Sequence, residues 1–341
     1  MSLRDFHVVT GPTVKRILSR SLSDTIDWVR EAYLLHHDGN TVVPESTFLR
    51  LPKSSGSRII ALPAYRMDEA PAAGIKWVSS FPSNADNNLL RASAIMVLND
   101  ADTGYPTCCL EASQINAART AASAALAAQV LGWSAQTARE LVIGVVGAGF
   151  IARSVCEALT QVAINPQVLV HDLDNDSAEA LCAHLGDEPG APARRAAGLE
   201  EAINADIVVF VTTASEPYIG RTFRPGQLIL NISLRDLGPD AILAAHNIVD
   251  DIEHCLREGT SPHLAEQKVG HRDFITGTLA QALRGEIAVP HDRPIIFSPF
   301  GLGILDLVVG TRVFREALAA GDTIEIPDFY AETERWGEMT R

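Results

Sequence analysis

No stretch restricts what this chain can fold into as much as residues 139–172. An apolar run, RELVIGVV (139–146), leads straight into Gly147, and Gly149 and Ala152 follow in G-x-G-x-x-A spacing. Gly147 permits a tight turn, Gly149 lets the main chain come close to an anion, and Ala152 lets the next helix lie close against the strand. The N-terminus of that helix, beginning at Phe150 and Ile151, then offers main-chain N–H groups to phosphates. A second apolar run, QVLVHD (167–172), ends in Asp172, near the motif's usual spacing of about 20 residues. A carboxylate there accepts hydrogen bonds from ribose hydroxyls and repels a 2′-phosphate. The order strand, glycine turn, helix, strand, acid predicts a dinucleotide-binding unit that takes NAD in preference to NADP. A glycine turn that holds no ligand is the competing explanation.

The same texture continues to residue 298. Further short apolar strands, DIVVFVTTA (206–214), QLILNIS (227–233) and NIVDD (247–251), alternate with helical segments, which predicts a parallel sheet. Thr212, Thr213 and Ser233 fall at carboxyl ends of these strands, where ligands bind in open parallel sheets, although each can equally cap a helix or close a turn. PGAPARR (189–195) reads as a surface loop.

At 341 residues the chain exceeds what one hydrophobic core usually organises, so a second domain is expected. Residues 1–120 read as mixed: a helical pattern over 13–37, then strands at RIIALPAY (58–65), GIKWVSSF (74–81) and ASAIMVLND (92–100). A turn at DADTGYP (100–106) leads into an alanine-rich helix over 111–132, a natural connection between domains that Gly132 ends. Glu111 near its start complements the helix dipole. The segment after 298, with a helix over 307–321, is expected to return to the first domain, and Asp306 reads as that helix's cap. The expected class is therefore α/β: a Rossmann-type doubly wound sheet over 121–298, and a mixed α+β substrate-binding and dimerisation domain from 1–120 with 299–341.

Charge and cysteines narrow the partners. A net charge of −14 repels nucleic acid and anionic membranes at long range, yet a few arginines in a pocket still bind a small anion. Five cysteines without metal-ligand spacing argue for a reducing cytoplasm and against disulfides or a metal site. DDIEH (250–254) reads as a solvated loop, and His36 and His37 as polar helix-end residues. The opening MSLRDFHVVTG has no apolar signal core, and no run approaches the roughly 20 apolar residues that span a bilayer.

Taken in order, GIKWVSSFPSN (74–84), RASAIMVLNDADTGYPTCCLEASQINAARTAASAALAA (91–128), GVVGAGFIA (144–152) and SPFGLGILD (298–306) give most of the chain a resemblance to the ornithine cyclodeaminase and mu-crystallin family. SSFPSN, CCLEAS and SLRDL (233–237) resemble the branch that forms 2,3-diaminopropionate from N-(2-amino-2-carboxyethyl)-L-glutamate. Ser298, Pro299 and Phe300 depart from the acidic, glycine-containing block usual in ornithine cyclodeaminases. The resemblance implies an NAD-dependent oxidative cleavage yielding 2-oxoglutarate, performed by a homodimer paired through the N-terminal sheet. It implies carboxylate clamps at Arg50 and Arg119, with Arg91 and Arg235 as further candidates, a proton-transferring Lys76, and a base at Asp236. Asp236 could instead cap the helix near Pro239, although Asp240 could also do so. Lys76 could instead be an exposed edge-strand lysine. Ornithine cyclodeamination, alanine dehydrogenation, imine reduction and dinucleotide-dependent ligand binding stay open as alternatives.

Overall fold

A computed structural model of the chain describes residues 5–20, 22–52, 56–87, 89–132, 141–163, 166–186, 192–331 and 333. In chain order its elements begin with β1 (Phe6–Val9), α1 (Gly11–Arg20), α2 (Leu22–His37), β2 (Thr41–Val42), β3 (Thr47–Arg50), β4 (Arg58–Arg66), β5 (Ala72–Ser80), β6 (Ala92–Asn99), β7 (Pro106–Glu111) and α3 (Ser113–Leu131). There follow β8 (Val142–Val146), α4 (Phe150–Val162), β9 (Gln167–His171), α5 (Asn175–Gly186), β10 (Ala193–Arg195), α6 (Leu199–Ile203), β11 (Ile207–Phe210) and β12 (Leu228–Asn231). The remainder is α7 (Pro239–Leu243), β13 (His246–Val249), α8 (Ile252–Cys255), α9 (Ser261–Val269), β14 (Ile275–Thr278), α10 (Leu279–Arg284), β15 (Ile295–Ser298), α11 (Gly303–Ala319) and β16 (Ile324–Ile326). The chain forms two compact units, one of residues up to Arg119 together with those from Gly303, the other Thr120–Leu302.

The first unit is built on a mixed sheet in the order β16-β1-β7-β6-β5-β4-β2, with β3 also paired to β4. Period-two alternation divides its residues cleanly. Leu62, Ala64, Lys76, Met96, Leu98 and Leu110 face inward and are buried, whereas Trp77 and Ile95, paired across β5 and β6, are 41% and 45% exposed. Helix α11 lies against β4 and β5. Gly303 makes that approach possible, because a Cβ there would stand 3.1 Å from the carbonyl oxygens of both Leu62 and Pro63.

The second unit is an all-parallel sheet in the order β10-β9-β8-β11-β12-β15-β13-β14. From β8 the chain winds outward through β9 and β10, then crosses to the other side of β8 at β11. That reversal opens a crevice at the carboxyl ends of β8 and β11, where open α/β sheets bind ligands. The central strands β11, β12 and β15 are buried throughout, as their continuous apolar runs require.

Several expected elements differ. The helical pattern over 13–37 is two helices, α1 and α2. PTCCLE, expected to run from turn into helix, is strand β7, held between β6 and β1; Glu111 closes it, and its carboxylate accepts from the Ser113 and Gln114 N–H groups at the mouth of α3. Residues 139–140 of the expected strand and 189–191 of the expected loop lie outside the described residues; Ala193–Arg195 pairs with β9 as a strand. In DDIEH, Asp250 is buried and accepts from Gly301 N–H at 2.6 Å, and Asp251 caps α8 through His254 N–H, so this run is an anchor and not a solvated loop. No group of three or more His, Cys, Asp or Glu among the described residues is placed to hold a metal ion, and no helix among them is long and apolar enough to cross a membrane.

Candidate active site

In the second unit the glycine turn has the geometry that a dinucleotide needs. Gly147 takes φ +101°, and a Cβ on it would meet the Val211 carbonyl oxygen at 2.6 Å. Gly149 is the opposite case: it is the N-cap of α4, and a Cβ there would meet no protein atom within 4 Å. No side chain caps this helix end, so the space beside Gly149 and the first-turn amides together fit a pyrophosphate. Ala152 is fully buried beneath them. Asp172 accepts from Ala148 N–H at 2.7 Å and from Asp174 N–H at 2.8 Å, so it both braces the turn and keeps acceptor capacity for ribose hydroxyls.

At the ends of β11 and β12, Thr212 and Ser233 do something that sequence reasoning did not foresee. Both hydroxyls donate to Asp236, Thr212 Oγ1 to Oδ1 at 2.5 Å and Ser233 Oγ to Oδ2. A third donor, Tyr218 OH, reaches Oδ1 at 3.0 Å. Asp236 is wholly buried, and its carbonyl oxygen also accepts from Tyr218 and Ile219 N–H. Burial, and then the Asp236 charge, push the Tyr218 phenol up. The helix after this loop, α7, is capped by Gly238 without side-chain help, so neither Asp236 nor Asp240 has the capping role allowed for it. Asp236 is enclosed by donors, which makes it an acceptor hub more than an open base. Thr213 is exposed beside it.

The first unit carries the stronger electrostatic feature. Lys76 lies on β5, an interior strand, and is 1% exposed, which disposes of an edge-strand role. Its Nζ donates to Asp306 Oδ2 at 2.6 Å and to Asn116 Oδ1 at 2.8 Å. Arg119 binds the same two partners, Nε to Asp306 Oδ1 at 3.2 Å and Nη2 to Asn116 Oδ1 at 2.7 Å. Asp306, expected only as a cap, is fully buried in the first turn of α11 and joins both cations. Burial lowers the Lys76 pKa from 10.5 to about 8; Asp306 opposes that shift and the Arg119 charge adds to it. Lys76 therefore sits where modest changes in charge decide its protonation.

A second basic group stands along the same sheet face. Leu62 pairs with Lys76, and Arg58, four residues earlier on β4, shares its orientation; Arg50 pairs with Arg58 from β3. At about 3.3 Å per residue this places the two arginines about 13 Å along the sheet from Lys76. The Arg50 guanidinium lies over the Phe48 ring at 5.2 Å. Arg91 immediately precedes β6, whose Ala92 pairs with the β5 residue opposite Arg58. Arg235 is elsewhere: its Nη2 donates to the Glu258 carbonyl in the second unit, a loop-holding contact. Arg58, Asn116, Tyr218 and Asp306 were not singled out as site residues from the sequence, and for Asp306 the signal was present in its position beside a glycine-rich turn.

A doubly wound sheet with a phosphate-ready turn, combined with a buried cation cluster in a separate unit, defines a class of dinucleotide-binding proteins. Residues 12–321 match the model of the ornithine cyclodeaminase/mu-crystallin family, and the chain belongs to that family. It is 29% identical over 308 residues to N-((2S)-2-amino-2-carboxyethyl)-L-glutamate dehydrogenase of Staphylococcus aureus, covering 86% of this chain and 89% of that one. Among solved structures it resembles Thermococcus litoralis Delta(1)-pyrroline-2-carboxylate reductase in complex with NADH and L-proline, with a TM-score of 0.87 and 25% identity over 94% of this chain and 100% of the other. It also resembles an archaeal alanine dehydrogenase dimer with bound NAD, with a TM-score of 0.84 and 26% identity over 94% and 99% of the two chains.

Proposed function

We propose that this protein is an NAD-dependent oxidoreductase acting on a carbon–nitrogen bond, and that its substrate is N-(2-amino-2-carboxyethyl)-L-glutamate, cleaved to 2-oxoglutarate and L-2,3-diaminopropionate. The observation that carries the finer reading is the pairing, on one sheet face, of a buried Lys76–Arg119 site with an arginine group about 13 Å away. A substrate with several carboxylates uses both; alanine or a cyclic imino acid, with one carboxylate, uses only the first. Guanidinium groups suit this task because their paired donors match the geometry of a carboxylate.

Gly147, Gly149, Phe150, Ile151, Ala152 and Asp172 hold the cofactor, and Thr212, Thr213 and Ser233 line its path along the strand ends. NAD, when bound, supplies the acceptor for the hydride. The rest falls to the chain's own side chains. Arg119 grips a carboxylate, and Arg50, with Arg58, orients the far end of the substrate, whereas period two assigns Arg91, one residue before Ala92, to the other face. Lys76 engages Asp306 and Asn116 through its ammonium, whose third N–H serves the ligand in this reading. With a pKa of about 8, Nζ holds a proton at neutral pH and can still exchange it with the amine nitrogen or with attacking water. Asp236 acts by fixing Thr212, Ser233 and Tyr218, and Arg235 by holding its loop.

Incubating the purified protein with NAD and N-(2-amino-2-carboxyethyl)-L-glutamate should produce NADH and 2-oxoglutarate in equal amounts. Turnover of alanine, ornithine or pyrroline-2-carboxylate without turnover of that compound rejects the substrate. Dinucleotide binding with no turnover of any of them favours a ligand-binding protein. The apolar row on the outer sheet face, exposed at Trp77 and Ile95 and half-buried at Ile75 and Val97, supports a homodimer; Trp77→Glu should then yield monomers in sedimentation.

A further inference from the structure

The buried cluster of the first unit contains two cations and one carboxylate. Lys76 and Arg119 converge on the same pair of acceptors, Asp306 and Asn116, at 2.6–3.2 Å, and Lys76, Asp306 and Arg119 are at most 9% exposed. The charged groups acting on Lys76 are Asp306 from α11 and Arg119 from α3. Its strand neighbours, Leu62 on β4 and Met96 on β6, are apolar. Asn116 Oδ1 accepts from both cations, which fixes the orientation of the amide, since its NH2 end would face two donors. A carboxylate of nearly the same shape would satisfy the same two donors and balance the charge. The neutral amide leaves the cluster one negative charge short in a place where unbalanced charge is costly.

We propose that Asp306 and Asn116 are positioning residues that hold Lys76 and Arg119 together and, by supplying only one negative charge between them, reserve the second for a ligand carboxylate. This rests on the reading that Lys76 and Arg119 meet the substrate. Asp306 sets the spacing of the two cations, and Asn116 fixes their aim without quenching their attraction for an incoming anion. The position is specificity-determining: it favours substrates that bring a carboxylate to this spot and rejects those that bring an amine.

The test is Asn116→Asp, which fills the charge deficit in place, alongside Asp306→Asn. Calorimetric titration of the NADH-saturated protein with 2-oxoglutarate should show binding by the wild type and binding at least about tenfold weaker by Asn116→Asp. The NADH affinity of that variant should be retained, and its thermal midpoint at neutral pH should be no lower than that of the wild type, since the added carboxylate relieves the charge deficit. A ligand-independent readout accompanies it: Asn116→Asp should move the Lys76 titration window, read as the pH dependence of the thermal midpoint, upward from about pH 8, and Asp306→Asn should move it downward. Unchanged 2-oxoglutarate affinity in Asn116→Asp overturns the ligand role, and an unmoved window overturns the positioning role. If the wild type binds NADH but no 2-oxoglutarate, the substrate reading and the reserved-charge idea both fall, while the window still decides whether Asp306 and Asn116 control Lys76.

Discussion

Lys76 gives the molecule a pH dependence of stability whose sign and size follow from the geometry. In the unfolded chain its ammonium titrates near 10.5, and in the fold near 8, because burial penalises the charge and Asp306 only partly compensates. Below about pH 8 both states are protonated and the fold carries the full penalty, about 3 kcal/mol at about 1.4 kcal/mol per pH unit of separation. Between about 8 and 10.5 the folded state binds fewer protons than the unfolded state, so stability rises with pH. From pH 7 to 9 the gain is about 1 kcal/mol, or about 2–4 °C in the thermal midpoint of a unit this size. Burial pushes the Cys108, Cys156 and Cys255 thiols up in the fold, so they ionise first in the unfolded chain and lower stability over the same pH range; the Lys76 contribution is therefore isolated by difference. Apo wild type and Lys76→Met are melted in a calorimeter at pH 7, 8 and 9, and the gap should shift by this amount in favour of the wild type as pH rises. Parallel profiles would refute the reasoning, because they would mean that Lys76 does not change protonation in this window.

Further outcomes follow from the same geometry. Gly147→Ala should lower stability by about 2 kcal/mol or more, since the new Cβ collides with the Val211 carbonyl at a positive φ, measurable by thermal melting. Gly149→Ala should melt as the wild type does, because its Cβ meets no protein atom, but lose NADH affinity by at least about tenfold in a fluorescence titration. Asp236→Asn should lower NADH affinity and thermal stability together with turnover, as expected for a carboxylate that organises three hydroxyls; a loss of turnover alone would return it to the role of base. If Lys76 donates its proton during the reaction, kcat should fall as pH rises through about 8.

What could be read from the sequence followed local rules. The glycine turn, the strand on each side of it and Asp172 are all specified within one stretch of chain, where steric demands leave few choices. Lys76 was placed correctly on a strand face because period two is a local property. Strand β7 was missed because its pairing with β1 and β6 depends on partners that no pattern in PTCCLE announces. The role of Asp306 was hidden for a similar reason: 230 positions separate it from Lys76, and only the close seat of α11 at Gly303 brings the two together. Asp236 was read as a base, and its enclosure was not legible, since nothing in SLRDL shows that Thr212 and Tyr218 fold over it.

The position of β15 also bears on how this molecule is made. This late strand is inserted between β12 and β13, and the still later β16 completes the sheet that begins at β1. A nascent chain leaving the ribosome therefore carries β13 and β14 with no place to dock until residue 298 has cleared the exit tunnel, and β1 waits longer still for its last neighbour. Both sheets keep open, hydrogen-bonding edges until late in translation, the period in which such edges recruit the wrong partner.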